Sequence, residues 1–224
     1  MATLRTLGPP AHRVATPRGS AVWVAVTLLL GACATAPPSD SRTEAPPVPV
    51  WTAAMEPEDQ DRLRRLPEAW TTALDQAKDG GHADELASLG ALADPGAALP
   101  DPAPPPGRYR CRTIKIGSPG GTLAFVAYGW FDCEITPAGD ALRLDKLTGS
   151  QRQHGTLYPY TDRRLAFVGT LALGAGETVA PAYGADRERN VVGVVERFAA
   201  ARWRLVQPWP HFESNLDLLE LEPR

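Results

Sequence analysis

Tyr109-Arg110-Cys111-Arg112 and, further on, Phe131-Asp132-Cys133-Glu134-Ile135 decide the fold of this chain. In both runs the side chains alternate with a period of two, the pattern of a strand with one buried face. Tyr109 and Cys111 point one way and Arg110 and Arg112 the other. Phe131, Cys133 and Ile135 likewise oppose Asp132 and Glu134. Both cysteines fall on the predicted inner face, as a disulfide between neighbouring strands requires.

The same period runs on toward the C-terminus. Leu142 and Leu144 alternate with Arg143 and Asp145. Leu165, Phe167, Leu171 and Leu173 alternate with small residues, and Trp203 and Leu205 lie between arginines. Leu216, Leu218, Leu219 and Leu221 read as a last strand whose inward phase slips once, which predicts a bulge. Turn residues punctuate the segment at Gly117-Ser118-Pro119-Gly120-Gly121, Pro137-Ala138-Gly139-Asp140, Gly174-Ala175-Gly176 and Pro208. Residues 108–224 are therefore expected to form an antiparallel β-barrel or sandwich with one disulfide.

Upstream the pattern changes. Residues 94–107 (DPGAALPDPAPPPG) form a proline-rich connector, and composition leaves open whether it is free or lies along the β domain. Before it, residues 51–93 read as a helical hairpin. Leu63, Leu66, Trp70, Ala73, Leu74 and Ala77 recur at helical spacing; Pro57 suits a first turn, Pro67 predicts a kink or restart, and Gly80-Gly81 ends the helix. The fold class is α+β, and residues 51–224 are expected to act as one unit.

The N-terminal region reads as a targeting segment. Residues 21–30 are an apolar run too short to span a bilayer, preceded by Arg5, Arg13 and Arg18 and followed by Leu30-Gly31-Ala32-Cys33. A buried core element would need amphipathic partners nearby, and the flanking Pro, Gly and Arg supply none. Residues 1–32 are therefore expected to be a lipoprotein signal peptide, with Cys33 as the lipidated residue. Residues 33–50, rich in Pro, Ser, Thr and Ala, form a tether that cannot bury enough surface to fold. Ala34 lacks the aspartate that marks inner-membrane retention in the bacterial lipoproteins this segment resembles. The expected location is the cell envelope, at the periplasmic face of the outer membrane.

Charge and cysteine counts agree with that reading. Losing the three leader arginines from 23 basic residues leaves 20 against 26 acidic ones, a net charge of −6. No strong basic field is left for nucleic acid, and none is expected as a partner. With Cys33 acylated, Cys111 and Cys133 remain as an even pair in an oxidising compartment.

The search for chemistry yields less. The glycines at 117–121 lack the Lys and Ser/Thr of a phosphate loop and read as a hairpin turn. The β domain holds only two histidines, so neither a metal nor a cofactor is expected. Ser150, His154 and Asp162 match no triad order or spacing. Two stretches stand out by composition. One clusters Arg152, His154, Tyr158 and Tyr160; the other holds Trp209, His211 and Glu213 in a proline-bounded loop. Arginine and aromatic residues dominate binding hot spots, so these seven form a candidate binding surface. A purely structural reading stands beside it, with Tyr and Trp capping the core and Arg152 paired to an acid such as Glu213.

Tyr109-Arg-Cys111, Phe131-Asp-Cys133, the 146–152 run KLTGSQR, Leu157-Tyr-Pro159 and the 202–214 run RWRLVQPWPHFES together resemble the proteobacterial domain of unknown function family 4893. The resemblance extends from Trp51 to the C-terminus. It implies a compartment and an architecture but no reaction. The reading that follows is a non-enzymatic, lipid-anchored envelope binding module, attached to the membrane through its anchor and acting as inhibitor or partner of an envelope protein. The alternatives are a hydrolase of cell-wall or glycan material, using His154, His211 and Glu213, and a lipocalin-like carrier. The carrier needs an empty barrel, which Leu165, Phe167, Leu171, Leu173 and Trp203 look bulky enough to fill.

Overall fold

The computed structural model describes residues 50–121 and 123–224. The expected signal peptide, the lipidation site Cys33 and the tether up to residue 49 lie outside the described residues.

Four short helices come first: α1 (Val50–Ala53), α2 (Pro57–Arg64), α3 (Leu66–Asp79) and α4 (Ala83–Leu89), ending in a 3₁₀ turn at Gly90–Ala93. Pro57 opens α2, followed by Glu58 and Asp59, whose charges complement the exposed N–H groups of a first turn. Pro67 sits in the first turn of α3, where its missing N–H breaks no helical bond, so the helix restarts there. α3 and α4 form the expected hairpin, turning at Gly81 with φ of 87°.

The strands are β1 (Gly107–Ile116), β2 (Phe125–Ala127), β3 (Phe131–Ala138), β4 (Ala141–Lys146), β5 (Gln151–Thr161), β6 (Arg164–Leu173), β7 (Asn190–Ala199), β8 (Arg202–Pro208) and β9 (Leu216–Pro223). From β3 onward each pairs antiparallel with the next, and β9 closes on β1 from Tyr109↔Pro223 to Ile116↔Leu216. β2 and β3 are two halves of one strand along β1. Ile114 faces Ala127 and Cys111 faces Phe131, so three steps along β1 match four along its partner. The extra residue is a bulge at Tyr128-Gly129-Trp130, and the sheet is an eight-stranded antiparallel barrel. Cys111 and Cys133 are joined as a disulfide across β1 and β3, with Cα atoms 5.9 Å apart.

The sheet is buried on both faces over much of its circumference. Inside, Tyr109, Ile135, Leu144, Leu157, Phe167, Val195, Trp203, Leu205, Leu219 and Leu221 surround the disulfide. Phe167 lies over Gly155 and Gly169, where an added Cβ would come within 2.5 and 2.7 Å of its ring. Side chains thus fill the barrel waist. Outside, Ile114, Ile116, Val192, Val194, Val206, Leu216 and Leu218 pack against Leu63, Leu66, Trp70, Ala73 and Leu92 of the helices. The bulge expected in the last strand is absent, because the β9 register runs unbroken against both neighbours. Leu216 and Leu218 face the helices while Leu219 and Leu221 face the barrel, so the apparent phase slip is a strand with two apolar faces.

Buried ion pairs lock the two layers. Arg204, fully buried on the outer face of β8, binds Glu196 at 2.6 and 2.8 Å and donates to the carbonyls of Ala91, Leu92 and Asp94 at the end of the 3₁₀ turn. Its guanidinium also stacks 5.0 Å from the Trp70 ring. The connector is not free. Leu99 bridges to Arg197, Asp101 N–H bonds to the Asp162 carbonyl, Arg163 reaches the Ala98 carbonyl, and Tyr109 Oη donates to the Pro105 carbonyl. It seals the barrel end where β1 begins and leaves the other end, the mouth, lined by loops.

Candidate functional site at the barrel mouth

Toward the mouth the inward positions of the strands change from apolar to polar. β1 runs Tyr109, Cys111, Thr113, Lys115 on its inner face, and β4 runs Leu142, Leu144, Lys146. Gln153 of β5, Gln207 of β8 and Asp217 of β9 complete the ring, and all six polar side chains are buried. Lys115 Nζ lies 3.1 Å from Asp217 Oδ2 and 3.3 Å from Glu213 Oε2. Ser214 Oγ donates to the other Asp217 oxygen. Gln153 Nε2 donates to Gln207 Oε1 at 3.4 Å, while Gln153 Oε1 and Gln207 Nε2 have no partner among the described residues.

Lys146 is the unusual member. Its Nζ donates to the Gln151 carbonyl at 2.9 Å and contacts Thr113 Oγ1 at 3.4 Å, and it stands 4.3 Å from the centre of the Phe131 ring. No carboxylate lies within ion-pair distance of it among the described residues. Burial pulls its pKa down to about 8, against the opposing attraction of Asp217, and the Lys115 and Arg152 cations push the same way as burial. Burial also works against the Lys115 ammonium, but Asp217 and Glu213 outweigh it and hold its pKa above the ordinary lysine value. The fully enclosed Asp217 carboxyl is raised by burial, which Lys115 and Ser214 offset only in part.

A cavity of about 110 Å³ opens onto Lys115 and Lys146, walled by Tyr128, Phe131 and Glu213. The bulge makes that wall. Tyr128 and Phe131 are three apart and would face opposite sides of a regular strand; the extra residue turns both toward the mouth and throws Trp130 outward. There Trp130 stacks on Arg110 and Arg112 at 4.4 and 5.0 Å. Tyr128 and Trp130 are exposed beside the mouth, and Leu123 is exposed in the turn between β1 and β2.

The seven residues singled out by composition do not form one surface. Arg152 is buried and structural, donating to the carbonyls of Gly149, Gly174 and Glu177, and it does not pair with Glu213. His154, on the outer face of β5, bonds Asp145 at 2.8 Å. Burial would raise the Asp145 carboxyl, but hydrogen bonds from His154 and Arg143 hold it below the usual range. Tyr160 packs edge-on against Trp51 at 4.9 Å, and Tyr158 packs against the helix-side core. Trp209 lies under Arg65, 5.0 Å from its guanidinium. His211 Nε2 faces Arg62 at 3.0 Å, beside a cluster of buried Asp59, Arg62 and Asn190 with half-buried Tyr183. Partial desolvation and the Arg62 cation hold its pKa below the ordinary value. His154 lines cavities on the outer side of β5, away from His211 and Glu213, which both border Lys115 from different cavities, so the three do not converge in one site. Of the seven, Glu213 lines the mouth cavity and His211 borders the same polar ring, through a cavity it shares with Lys115, Gln153, Gln207 and Asp217. The signal that locates the mouth in sequence is two lysines on inward strand phases, Cys111-x-Thr113-x-Lys115 and Leu142-x-Leu144-x-Lys146.

Among the described residues no group of three His, Cys, Asp or Glu side chains could hold a metal ion, and no helix is long and apolar enough to cross a membrane. No curated protein matches the chain. The family model described as Domain of unknown function (DUF4893) matches residues 51–221, the helices and barrel together, and the chain belongs to that family.

Proposed function

We propose that this protein is a non-enzymatic binding module of the cell envelope, lipid-anchored through Cys33, that engages an envelope protein with the mouth of its barrel. The observation that carries this reading is the rim itself. Tyr128 is exposed and lines a polar, charged cavity, and Trp130 beside it in the bulge is exposed on the outer face with Arg110 and Arg112 stacked on its ring. Aromatic residues and arginine at the edge of a concave site are the composition of an interaction hot spot. Against the hydrolase alternative, His154 lies on the outer side of β5, apart from His211 and Glu213. The carrier alternative lacks the internal space, since side chains fill the barrel waist.

The test is site-directed photo-crosslinking of the full-length lipoprotein in intact cells. A photoreactive residue in place of Trp130 is expected to capture a discrete protein partner, and one in place of Asp162, at the sealed end, is not. Tyr128→Ala should abolish the capture. Equal capture from both ends, or none from the rim, overturns the proposal. Cys33→Ala is expected to release the protein from the membrane fraction, and unchanged attachment overturns the anchor.

A further inference from the structure

We propose that the mouth is a carboxylate-binding site: Lys146 and Lys115 hold the carboxylate, Tyr128 and Phe131 flank the carbon chain behind it, and Glu213 fills the slot until the ligand displaces it. This rests on reading the mouth as the binding face and names the chemistry it recognises.

Lys146 is the first reason. Its residue surface is 3% exposed, yet the acceptors of its ammonium are a backbone carbonyl and a threonine hydroxyl. A buried cation without a counter-ion is strongly unfavourable, and an incoming anion would relieve it. Asp217 is held by Lys115 and Ser214 and attracts Lys146 only from beyond ion-pair distance.

Glu213 is the second. It is exposed, takes a positive φ of 70° rare for a residue with a side chain, and reaches Lys115 through one carboxylate oxygen at 3.3 Å. It is a carboxylate held at the edge of the cavity by a single ion pair, the easiest of the mouth contacts to displace. With Glu213 gone, the slot carries two ammonium groups against the single Asp217 carboxylate. One net positive charge matches a monoanion, and the aromatic walls match a short carbon chain better than a second charged group.

The experiment is calorimetric titration of the detergent-solubilised full-length protein with acetyl-Ala-Ala bearing a free C-terminal carboxylate. The controls are the same peptide as its amide, and inorganic phosphate. The free acid is expected to bind, and the amide at least about tenfold more weakly, since an ionised acceptor makes the stronger hydrogen bonds. Glu213→Gln should tighten binding about threefold or more, and Lys146→Met should lose it. Glu213 is exposed, so its variant decides the matter even if Lys146→Met misfolds. Equal binding of acid and amide, preference for phosphate, or an unchanged affinity in Glu213→Gln overturns the proposal. If capture through Trp130 persists while the acid fails to bind, the carboxylate site falls and the rim reading stands. Carboxylate binding without capture has the reverse meaning.

Discussion

Lys115 and Asp217 meet inside the barrel mouth at 3.1 Å, opposite each other in the β1–β9 ladder and both buried. Removing one partner of such a pair leaves the other charge enclosed, which is more damaging than never having had the pair. Asp217→Ala is expected to lower stability by about 3 kcal/mol, read as a fall in the urea midpoint at unchanged slope. A loss under 1 kcal/mol, roughly that of an exposed pair, would mean that Glu213 alone suffices for Lys115.

Lys146 behaves in the opposite sense. Its folded pKa, about 8, lies below the ordinary lysine value, so between those two values the unfolded chain binds more protons than the folded one. Stability from this group therefore rises as pH climbs from about 8 toward 10.5, and below about 8 the burial penalty is present in full. Lys146→Met should stabilise the protein at pH 7 by about 2 kcal/mol, and the advantage should shrink above pH 8. Thermal melts of both proteins across that range check it. A constant difference would show that protonation of Lys146 is not its source.

Arg204 ties the helical layer to the barrel through Glu196 and three backbone carbonyls. Arg204→Leu takes a donor from all four acceptors in a buried setting, although Glu196 keeps Arg164 and the Ala91 and Asp94 carbonyls keep backbone N–H donors. The expected cost is about 4 kcal/mol, with backbone amides of residues 83–93 losing hydrogen-exchange protection before those of β7 and β8. Uniform loss of protection would instead show that helices and barrel unfold as one.

The Cys111–Cys133 disulfide spans a sequence separation of 22. In the chain-entropy account, closing that loop contributes about 3 kcal/mol. A Cys111→Ser, Cys133→Ser double variant should lose that amount by denaturant titration while keeping the barrel's circular dichroism. A loss close to zero would mean that the surrounding core already confines the two strands.

Much of this architecture is legible in the period of the side chains. Tyr109, Cys111, Phe131, Cys133 and Ile135 face inward as their alternation predicts, and Pro57, Pro67 and Gly80-Gly81 mark helix ends for local steric reasons. Leu216, Leu218, Leu219 and Leu221 mislead, because alternation carries a phase only where one face is wet, and the helices dry the second face of β9. The bulge at Tyr128-Gly129-Trp130 leaves no pattern at all, since its effect is a register with strand β1, a non-local partner. The site is misjudged for a related reason. Arg152 and His154 sit on the outward phase of β5, and polar clusters in sequence attract attention there. Lys115 and Lys146 are single lysines on inward phases, conspicuous only once strand direction is assigned.

The sealed end of the barrel has a bearing on orientation. Trp51, at the start of the described chain, packs against Tyr160 close to the β5–β6 turn, where the connector also docks through Asp101 and Asp162. The lysine-lined mouth lies at the far ends of the same strands. The described chain therefore enters the molecule at its stoppered base, at the end of the barrel opposite the cup.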